Sequence, residues 1–205
     1  MKRDVEPLLQ PVEIAALRPT QMTVGYREVS QKRVEWRRRS EEGGSEFLGH
    51  HMVPAVLGPK QRHYLIDNHH LVRALYEERV EHVLVRLVAD LSTLPKPSFW
   101  TFMDNRNWLH PYDAAGKRKP LDRLPKAIDD LADDPYRSLA GALRRAGGYG
   151  KDATPYSEFL WADFLRRQVE ITTLERDFQK ALVQALAVAH GPDASYLPGW
   201  CGPDE

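Results

Sequence analysis

The chain has 205 residues, with 29 basic and 29 acidic side chains, 15 prolines and one cysteine. This length suits one domain with a core that needs no covalent cross-links. The lone Cys201 excludes an intrachain disulfide and any cysteine-rich zinc or iron–sulfur site, and no haem or flavin is expected. The zero net charge argues against a protein that attracts nucleic acid through its overall field.

The composition and the start of the chain predict its location. Residues 1–14 carry three carboxylates and lack an apolar core, so we expect no signal peptide. No apolar run approaches the roughly 20 residues of a membrane span. We therefore predict a cytoplasmic protein with no membrane partner. The sequence predicts no particular oligomeric state.

One helix is expected ahead of the first strand. It should cover residues 20–42, from a cap at Thr20 or Thr23 to a break at residues 42–45, which contain Gly43 and Gly44. The stretch 31–39 within it is strongly basic, but glutamates lie within helical reach. We interpret this stretch as a solvated helix face with ion pairs rather than as a nucleic-acid contact.

Residues 52–90 predict the order strand, strand, helix, strand. Strands are expected at 52–57 and 62–66, and a helix at 69–79 because its apolar residues follow helical spacing. The β-branched run at 83–88 predicts a buried strand.

Beyond about residue 91 the strand signals vanish, and helices separated by proline and glycine are expected. Their predicted bounds are 97–107, 121–133, 136–146, 155–167 and 170–189. The glycine-rich stretch 147–152 is either a loop that covers a phosphate or a plain connector. It follows a helix rather than a strand, so it is not a P-loop.

The residues with the clearest chemistry are Asp67-Asn68-His69-His70, where the second strand passes into the helix. The first turn of a helix offers unpaired N–H groups and the positive end of the dipole, which together favour an anion. Arg73 lies one turn later on the same side. We therefore predict that Asn68, His69, His70 and Arg73 bind phosphate, with His69 or His70 as acid or base.

Asp67 completes this prediction as a catalytic residue that orients a histidine or holds a magnesium ion. The competing interpretation is that Asp67-Asn68 only cap the helix and that the histidines are surface residues. A zinc site built from His63, His69 and His70 is disfavoured, because adjacent helical side chains diverge by about 100°.

A second candidate region is 107–113, which contains an indole, an imidazole, a phenol and a carboxylate within seven residues. Here His110 is a candidate general base, and Trp108 and Tyr112 are candidates for stacking on a substrate base. The alternative is a structural loop that pins the helical half onto the sheet. Farther along, Arg137 either contacts a substrate phosphate or, more often for such a residue, pairs with Asp133 or Asp134.

The segment Ile66–Ala74 resembles the phosphate-binding motif of the ParB/sulfiredoxin superfamily. Other stretches are similar to the ParB-like nuclease branch, and the resemblance runs from about residue 14 to 190. These stretches are Leu17–Gln21, His51–Pro59, Asn107–Asp113, Asp133–Gly141 and Glu158–Phe164. The implied fold class is α+β, a small mixed sheet with helices followed by a helical C-terminal part. The implied domains are a phosphate-binding module at 14–92, a helical extension packed on it at 93–190, and an irregular tail at 191–205.

The resemblance implies a phosphate-directed enzyme that acts on a nucleotide or a nucleic-acid phosphate at the start of the helix. The reaction is open between a nuclease, a nucleotide phosphohydrolase and a phosphotransferase, and the alternative is a nucleotide- or DNA-associated binding module without turnover. The chain departs from the superfamily where Asn68 replaces a common glycine. The sequence His69-His70-Leu71 stands where segregation proteins that hydrolyse CTP have Glu-Arg-Arg. The turn also lacks the reactive cysteine of sulfiredoxins, which excludes their reduction chemistry.

Overall fold

A computed structural model of the chain describes residues 9–50 and 52–203, with side chains throughout these ranges except at 42–50. The strands are β1 (Leu9–Glu13), β2 (Arg18–Pro19), β3 (Thr23–Val24), β4 (Val53–Gly58), β5 (Arg62–Leu65), β6 (His82–Asp90) and β7 (Ala132–Asp133). The helices are α1 (Tyr26–His50), α2 (His69–Glu77), α3 (Lys96–Asn105), α4 (Pro135–Arg145), α5 (Ser157–Gln168), α6 (Ile171–Arg176) and α7 (Phe178–Ala189). None of the helices in the described ranges is both long and apolar enough to cross a bilayer.

The main sheet has five strands in the order β1-β6-β4-β5-β2. β4 runs parallel to β6, and β2 runs parallel to β5, whereas β1–β6 and β4–β5 are antiparallel pairs. The sheet is therefore mixed, and helices make up most of the later part of the chain. This architecture confirms the predicted α+β class.

Helix α2 buries one face because its apolar residues recur at helical spacing. Leu71, Val72, Ala74 and Leu75 are all buried, with at most 4% of their surface exposed. The helix ends where Arg79 takes a left-handed conformation, with φ of 59°. The N–H of Val80 then bonds the carbonyl of Leu75 at 3.0 Å, and the chain enters β6.

Helix α3 belongs to a second apolar cluster, formed by Val56, Phe99, Met103 and Leu109. Gly58 at the end of β4 permits this packing. A Cβ atom there would lie 2.8 Å from the Phe99 ring and 2.6 Å from the Tyr64 ring, which is closer than real Cβ contacts allow. The glycine thus lets two aromatic rings approach the strand directly.

Contacts divide the chain into two compact units. The first contains residues 29–113 and 117–132 together with the chain before residue 24. The second contains residues 24–28 and 114–116 together with the chain from residue 133 onward. This grouping places α3 with the sheet, whereas the sequence analysis assigned it to the helical extension at 93–190.

The second unit has its own core, built from α4, α5 and α7. Trp161 is fully buried, and its ring stacks on Tyr149 with centroids 4.3 Å apart. Tyr149 also donates a hydrogen bond to the carbonyl of Ala140 at 3.1 Å. These contacts anchor the glycine-rich stretch 147–152 by its tyrosine.

Several predicted elements are wrong in their bounds. The first helix starts at Tyr26 rather than near residue 20, and it runs to His50 through the two glycines predicted to break it. Glycine in a helix costs about 1 kcal/mol relative to alanine, which weakens a helix without ending it. The predicted helix at 170–189 is two helices, because Asp177 caps α7 by accepting the N–H of Lys180 at 3.0 Å.

The predicted helix at 121–133 is also wrong. The structure has two 3-10 turns there, at Leu121–Arg123 and Ile128–Asp130, followed by the short strand β7. Pro125 stands between the two turns, and a proline inside a helix removes a hydrogen bond and clashes with the preceding turn. The sequence analysis also missed β1, β2 and β3 near the start of the chain, and it placed no strand after residue 91, where β7 lies.

Candidate functional site

Asn68 shapes the turn that leads from β5 into α2. Its φ and ψ of 64° and 26° are left-handed, a conformation that asparagine tolerates better than most residues other than glycine. This explains how Asn68 can stand where the superfamily commonly has glycine. Its carbonyl accepts the N–H of Val72 at 3.0 Å, which starts the helix, while its side chain makes no capping hydrogen bond.

Asp67 lies exposed immediately before this turn. Its Oδ1 accepts a hydrogen bond from the N–H of Asn68 at 2.7 Å, which stabilises the left-handed residue. The carboxylate therefore lies beside the first turn of α2 and is accessible to solvent. Asp67, Asn68 and the two histidines thus form one continuous turn at the start of α2, and their roles in binding and catalysis stay predictions.

The two histidines of the turn differ in environment. His69 is 3% exposed, and its Nε2 accepts the backbone N–H of Thr20 at 3.2 Å. A ring nitrogen that accepts an N–H bears no hydrogen itself, so this contact uses Nε2 of His69 as an acceptor. In this arrangement Nε2 of His69 is already occupied. His70 is partly exposed and is the more accessible imidazole of the two.

Arg73 is held by other parts of the first unit. Its Nε pairs with Glu77 at 2.7 Å, and its Nη1 donates to the carbonyls of Ile128, Asp129 and Leu131 at distances from 2.8 to 3.2 Å. The side chain is 13% exposed. These bonds tie the guanidinium to the segment that precedes β7.

The second candidate region is joined to α2 through the edge of the sheet. Thr20 follows β2, and its Oγ1 donates to the carbonyl of Leu65 at 2.6 Å. The carbonyl of Thr20 accepts the N–H of His110 at 2.7 Å, and Gln21 forms a parallel bridge with His110. Residue 20 therefore contacts His69 on one side and His110 on the other.

The aromatic candidates of this region are partly exposed and lie beside arginines. The ring of Tyr112 stacks on His110 with centroids 4.5 Å apart, and the guanidinium of Arg118 lies 5.9 Å from the Tyr112 ring. Trp108 packs against Phe102, and the guanidinium of Arg106 lies 4.9 Å from the Trp108 ring.

Arg137 belongs to the second unit and is 5% exposed. Its Nη2 bonds Glu158 at 3.1 Å, so its ion pair is not with Asp133 or Asp134 as expected. Asp134 instead pairs with Arg166 at 2.7 Å. The substrate contact proposed for Arg137 stays a prediction.

Metal binding by this turn also stays a prediction. In the described ranges no group of three or more His, Cys, Asp or Glu side chains is arranged to hold an ion, and Asp67 offers one carboxylate. His63, which the disfavoured zinc site would need, has a buried Nε2 without a hydrogen-bond partner among the residues described. Burial lowers the pKa of His63, which favours its neutral form.

Sequence reasoning missed two residues that matter for this geometry, Thr20 as a site residue and Arg118. Thr20 lies 49 residues before His69, and no local spacing links the two. Its only signal was its place in the stretch Leu17–Gln21 that supports the family resemblance. Arg118 is brought to α3 by an ion pair with Asp104 at 2.6 Å, and that contact has no pattern in the sequence.

Comparisons with known proteins agree with this fold. The model of the family described as "Putative ParB-like nuclease" matches residues 10–167. The crystal structure of protein Atu1540 from Agrobacterium tumefaciens is 54% identical in sequence and has a TM-score of 0.91. The match covers 98% of this chain and 100% of that chain. No curated protein matches the chain. Because the family model spans well over half of its residues, the chain belongs to the ParB-like nuclease family.

Proposed function

We propose that this chain binds a phosphate group of a nucleotide or a nucleic acid at the first turn of α2 and hydrolyses it. The observation that carries the proposal is the conformation of Asn68. Its left-handed backbone turns the chain into the helix, and its side chain does not cap the first-turn N–H groups. Such a turn at the positive end of a helix favours an anion. Family membership supports the same chemistry.

In this proposal His70 is the acid or base, because it is the accessible imidazole of the turn. Water attacks phosphorus, the bond from phosphorus to the leaving oxygen breaks, and His70 removes a proton from the water or gives one to the leaving oxygen. Asp67 orients His70 or holds a magnesium ion. His110 is a second candidate base, and its N–H bonds the carbonyl of Thr20.

The contacts of His69 and Arg73 favour positioning roles. His69 holds Thr20 through Nε2, and Thr20 in turn holds His110. Arg73 holds the segment around Asp129 through three carbonyls. Both residues thereby support the turn that binds the phosphate without themselves contacting the phosphate.

The alternative is a binding module without turnover, and one observation favours it. With His69 and Arg73 engaged in structural bonds, the turn retains one accessible imidazole and one accessible carboxylate. Phosphoryl transfer usually needs several groups that neutralise developing charge. A bound nucleotide could then act as a signal rather than as a substrate.

A pair of measurements tests the proposal and separates it from the alternative. Thermal shifts with inorganic phosphate and with each nucleoside triphosphate report binding, because a ligand of the folded state raises the midpoint. Phosphate release and cleavage of a labelled oligonucleotide, each with and without magnesium, report turnover. We expect His70→Gln to abolish turnover and to retain the thermal shift. Binding without any turnover in the wild type would favour the binding module, and no shift with any ligand would contradict both.

Substitutions at Asn68 locate the site more sharply. Asn68→Gly should retain binding and stability, since glycine takes the left-handed conformation readily. Asn68→Ala should lower the free energy of unfolding by about 1 kcal/mol and weaken phosphate binding, because alanine disfavours φ of 64°. Equal ligand shifts in both variants would place the phosphate elsewhere.

A further inference from the structure

One part of the first unit has unpaired positive charge beside accessible aromatic rings. Residues 96–126 carry seven basic and three acidic side chains, a net charge of +4 in a protein whose net charge is zero. Two of the basic residues, Arg118 and Lys119, pair with Asp104 and Asp113. The others are exposed and form no ion pair with any residue in the described ranges: Lys96, Arg106, Lys117, Arg123 and Lys126.

The aromatic rings of the same segment are only partly covered. Phe102 is 39% exposed, and Trp100, Trp108 and Tyr112 are intermediate. The residues that α3 buries are Phe99 and Met103, whereas Phe102 stays exposed. We call the rings of Phe102, Trp108 and Tyr112 together with the five unpaired basic residues of this segment the aromatic–basic surface.

Two arginines of this segment, one on the surface and one beside it, lie against aromatic rings as an arginine lies against a stacked base. The Arg106 guanidinium lies over the Trp108 ring at 4.9 Å, and that ring also contacts Phe102 with centroids 5.9 Å apart. Arg118 lies over Tyr112 at 5.9 Å. A planar guanidinium held on an aromatic ring can present its outer face to an unstacked base.

We propose that the aromatic–basic surface binds single-stranded nucleic acid. Unstacked bases pack on the rings of Phe102, Trp108 and Tyr112, and the basic side chains contact phosphates. A duplex fits less well, because its bases are already stacked and cannot reach these rings. The inference rests on the proposed function in that it assumes the phosphate site at the first turn of α2. It adds that the phosphate at this turn belongs to a nucleic acid rather than to a free nucleotide.

The test is fluorescence anisotropy of the full-length chain with a labelled oligothymidylate of about 20 nucleotides and with the matching duplex. The measurement is repeated from about 50 to 200 mM salt. We expect tighter binding to the single strand. Arg106→Gln with Lys117→Gln should reduce the slope of log K against log salt by about 1.4, since each single-strand phosphate contact contributes about 0.7. Phe102→Ser should weaken binding by about fivefold or more.

The matched control is Lys32→Gln with Arg38→Gln on α1, which removes the same charge from another basic region. This control should leave the affinity and the slope near those of the wild type. Equal losses in both double variants would overturn the inference, since they would show attraction by overall charge alone. Equal affinity for duplex and single strand, with no effect of Phe102→Ser, would overturn it too. Thermal midpoints confirm that each variant is folded.

The remaining outcomes separate this inference from the proposed function. If the wild type binds the oligonucleotide and does not cleave it, the result supports the binding surface and contradicts the proposed hydrolysis. If the wild type cleaves the oligonucleotide and the surface variants bind it normally, the result supports the proposed hydrolysis and contradicts the binding surface. The wild type could also fail to bind nucleic acid at low salt and instead self-associate through a contact that Phe102→Ser abolishes. That result would show that these rings form a protein interface, and it would overturn the inference.

Discussion

Two basic regions of the first unit differ in what their charges contact. In α1, five of the nine residues at 31–39 are basic, a higher density than in 96–126. Yet Arg33 and Arg37 both bond Glu78, at 2.6 and 2.7 Å, and Arg39 pairs with Glu35 at 2.8 Å. In 96–126 most of the basic side chains have no acidic partner. Of the five α1 cations, only Lys32 and Arg38 have no ion pair among the residues described, against five of the seven in 96–126. The availability of charge therefore depends on three-dimensional pairing as well as on density along the chain.

Glu78 is the centre of the α1 network. Its side chain is 11% exposed and accepts hydrogen bonds from both Arg33 and Arg37, while Glu77 beside it pairs with Arg33 and Arg73. The bonds from Arg37 and Arg33 lower the pKa of Glu78 to about 2. The basic stretch of α1 thus stabilises its own unit. The sequence analysis expected partners within the helix, and among these pairs only Arg39–Glu35 is of that kind.

The largest effect that we predict comes from removing this centre. Glu78→Ala leaves two arginines without their shared partner and should lower the free energy of unfolding by about 2 kcal/mol. The matched control is Asp104→Ala, which releases the exposed Arg118 and should cost about 0.5 kcal/mol or less. Urea unfolding at neutral pH measures both. Similar costs would contradict the contrast between a network and an isolated surface pair.

The same network should make the free energy of unfolding depend on pH in the acidic range. The pKa of Glu78 is lower in the folded state than its ordinary value of 4.5, so its contribution is fully present above about pH 5. That contribution is lost as the pH falls from about 4.5 toward 2, where the folded protein also takes up the proton. The stability difference between wild type and Glu78→Gln, from urea unfolding at several pH values, should shrink across this range. A constant difference would show that Glu78 does not act through its charge.

Local patterns predicted the centre of the fold well. The strands β4 and β5, the helix α2 and the strand β6 all follow from β-branched runs, helical spacing and an Asp-Asn turn within about 40 residues. The edge strands were missed because they lack such a pattern. β1 contains Pro11 and buries only Val12, and β2 is two residues long.

The candidate site could be predicted in part, for a related reason. The turn at residues 67–70 is local, so its composition indicates its position. The partners that define each side chain's role are distant in sequence. His69 bonds Thr20, which lies 49 residues earlier, and Arg73 bonds carbonyls 55 to 58 residues later. Spacing along the chain cannot separate an accessible imidazole from one occupied by such a contact.

The smallest effect that we predict comes from releasing an α1 cation from its acidic partner, so that α1 comes to resemble the unpaired region at 96–126. Glu78→Gln removes the carboxylate that holds Arg37, so this cation should become free to contact phosphate, whereas Arg33 keeps its pair with Glu77. With the oligothymidylate, we expect binding to tighten and the salt slope to steepen by about 0.7 for each new contact. Glu41→Gln makes the same charge change on the same helix and should have less effect, since Glu41 has no ion pair among the residues described. If both variants behave alike, charge alone governs binding. If neither differs from the wild type, pairing with Glu78 is not what keeps α1 from contacting nucleic acid.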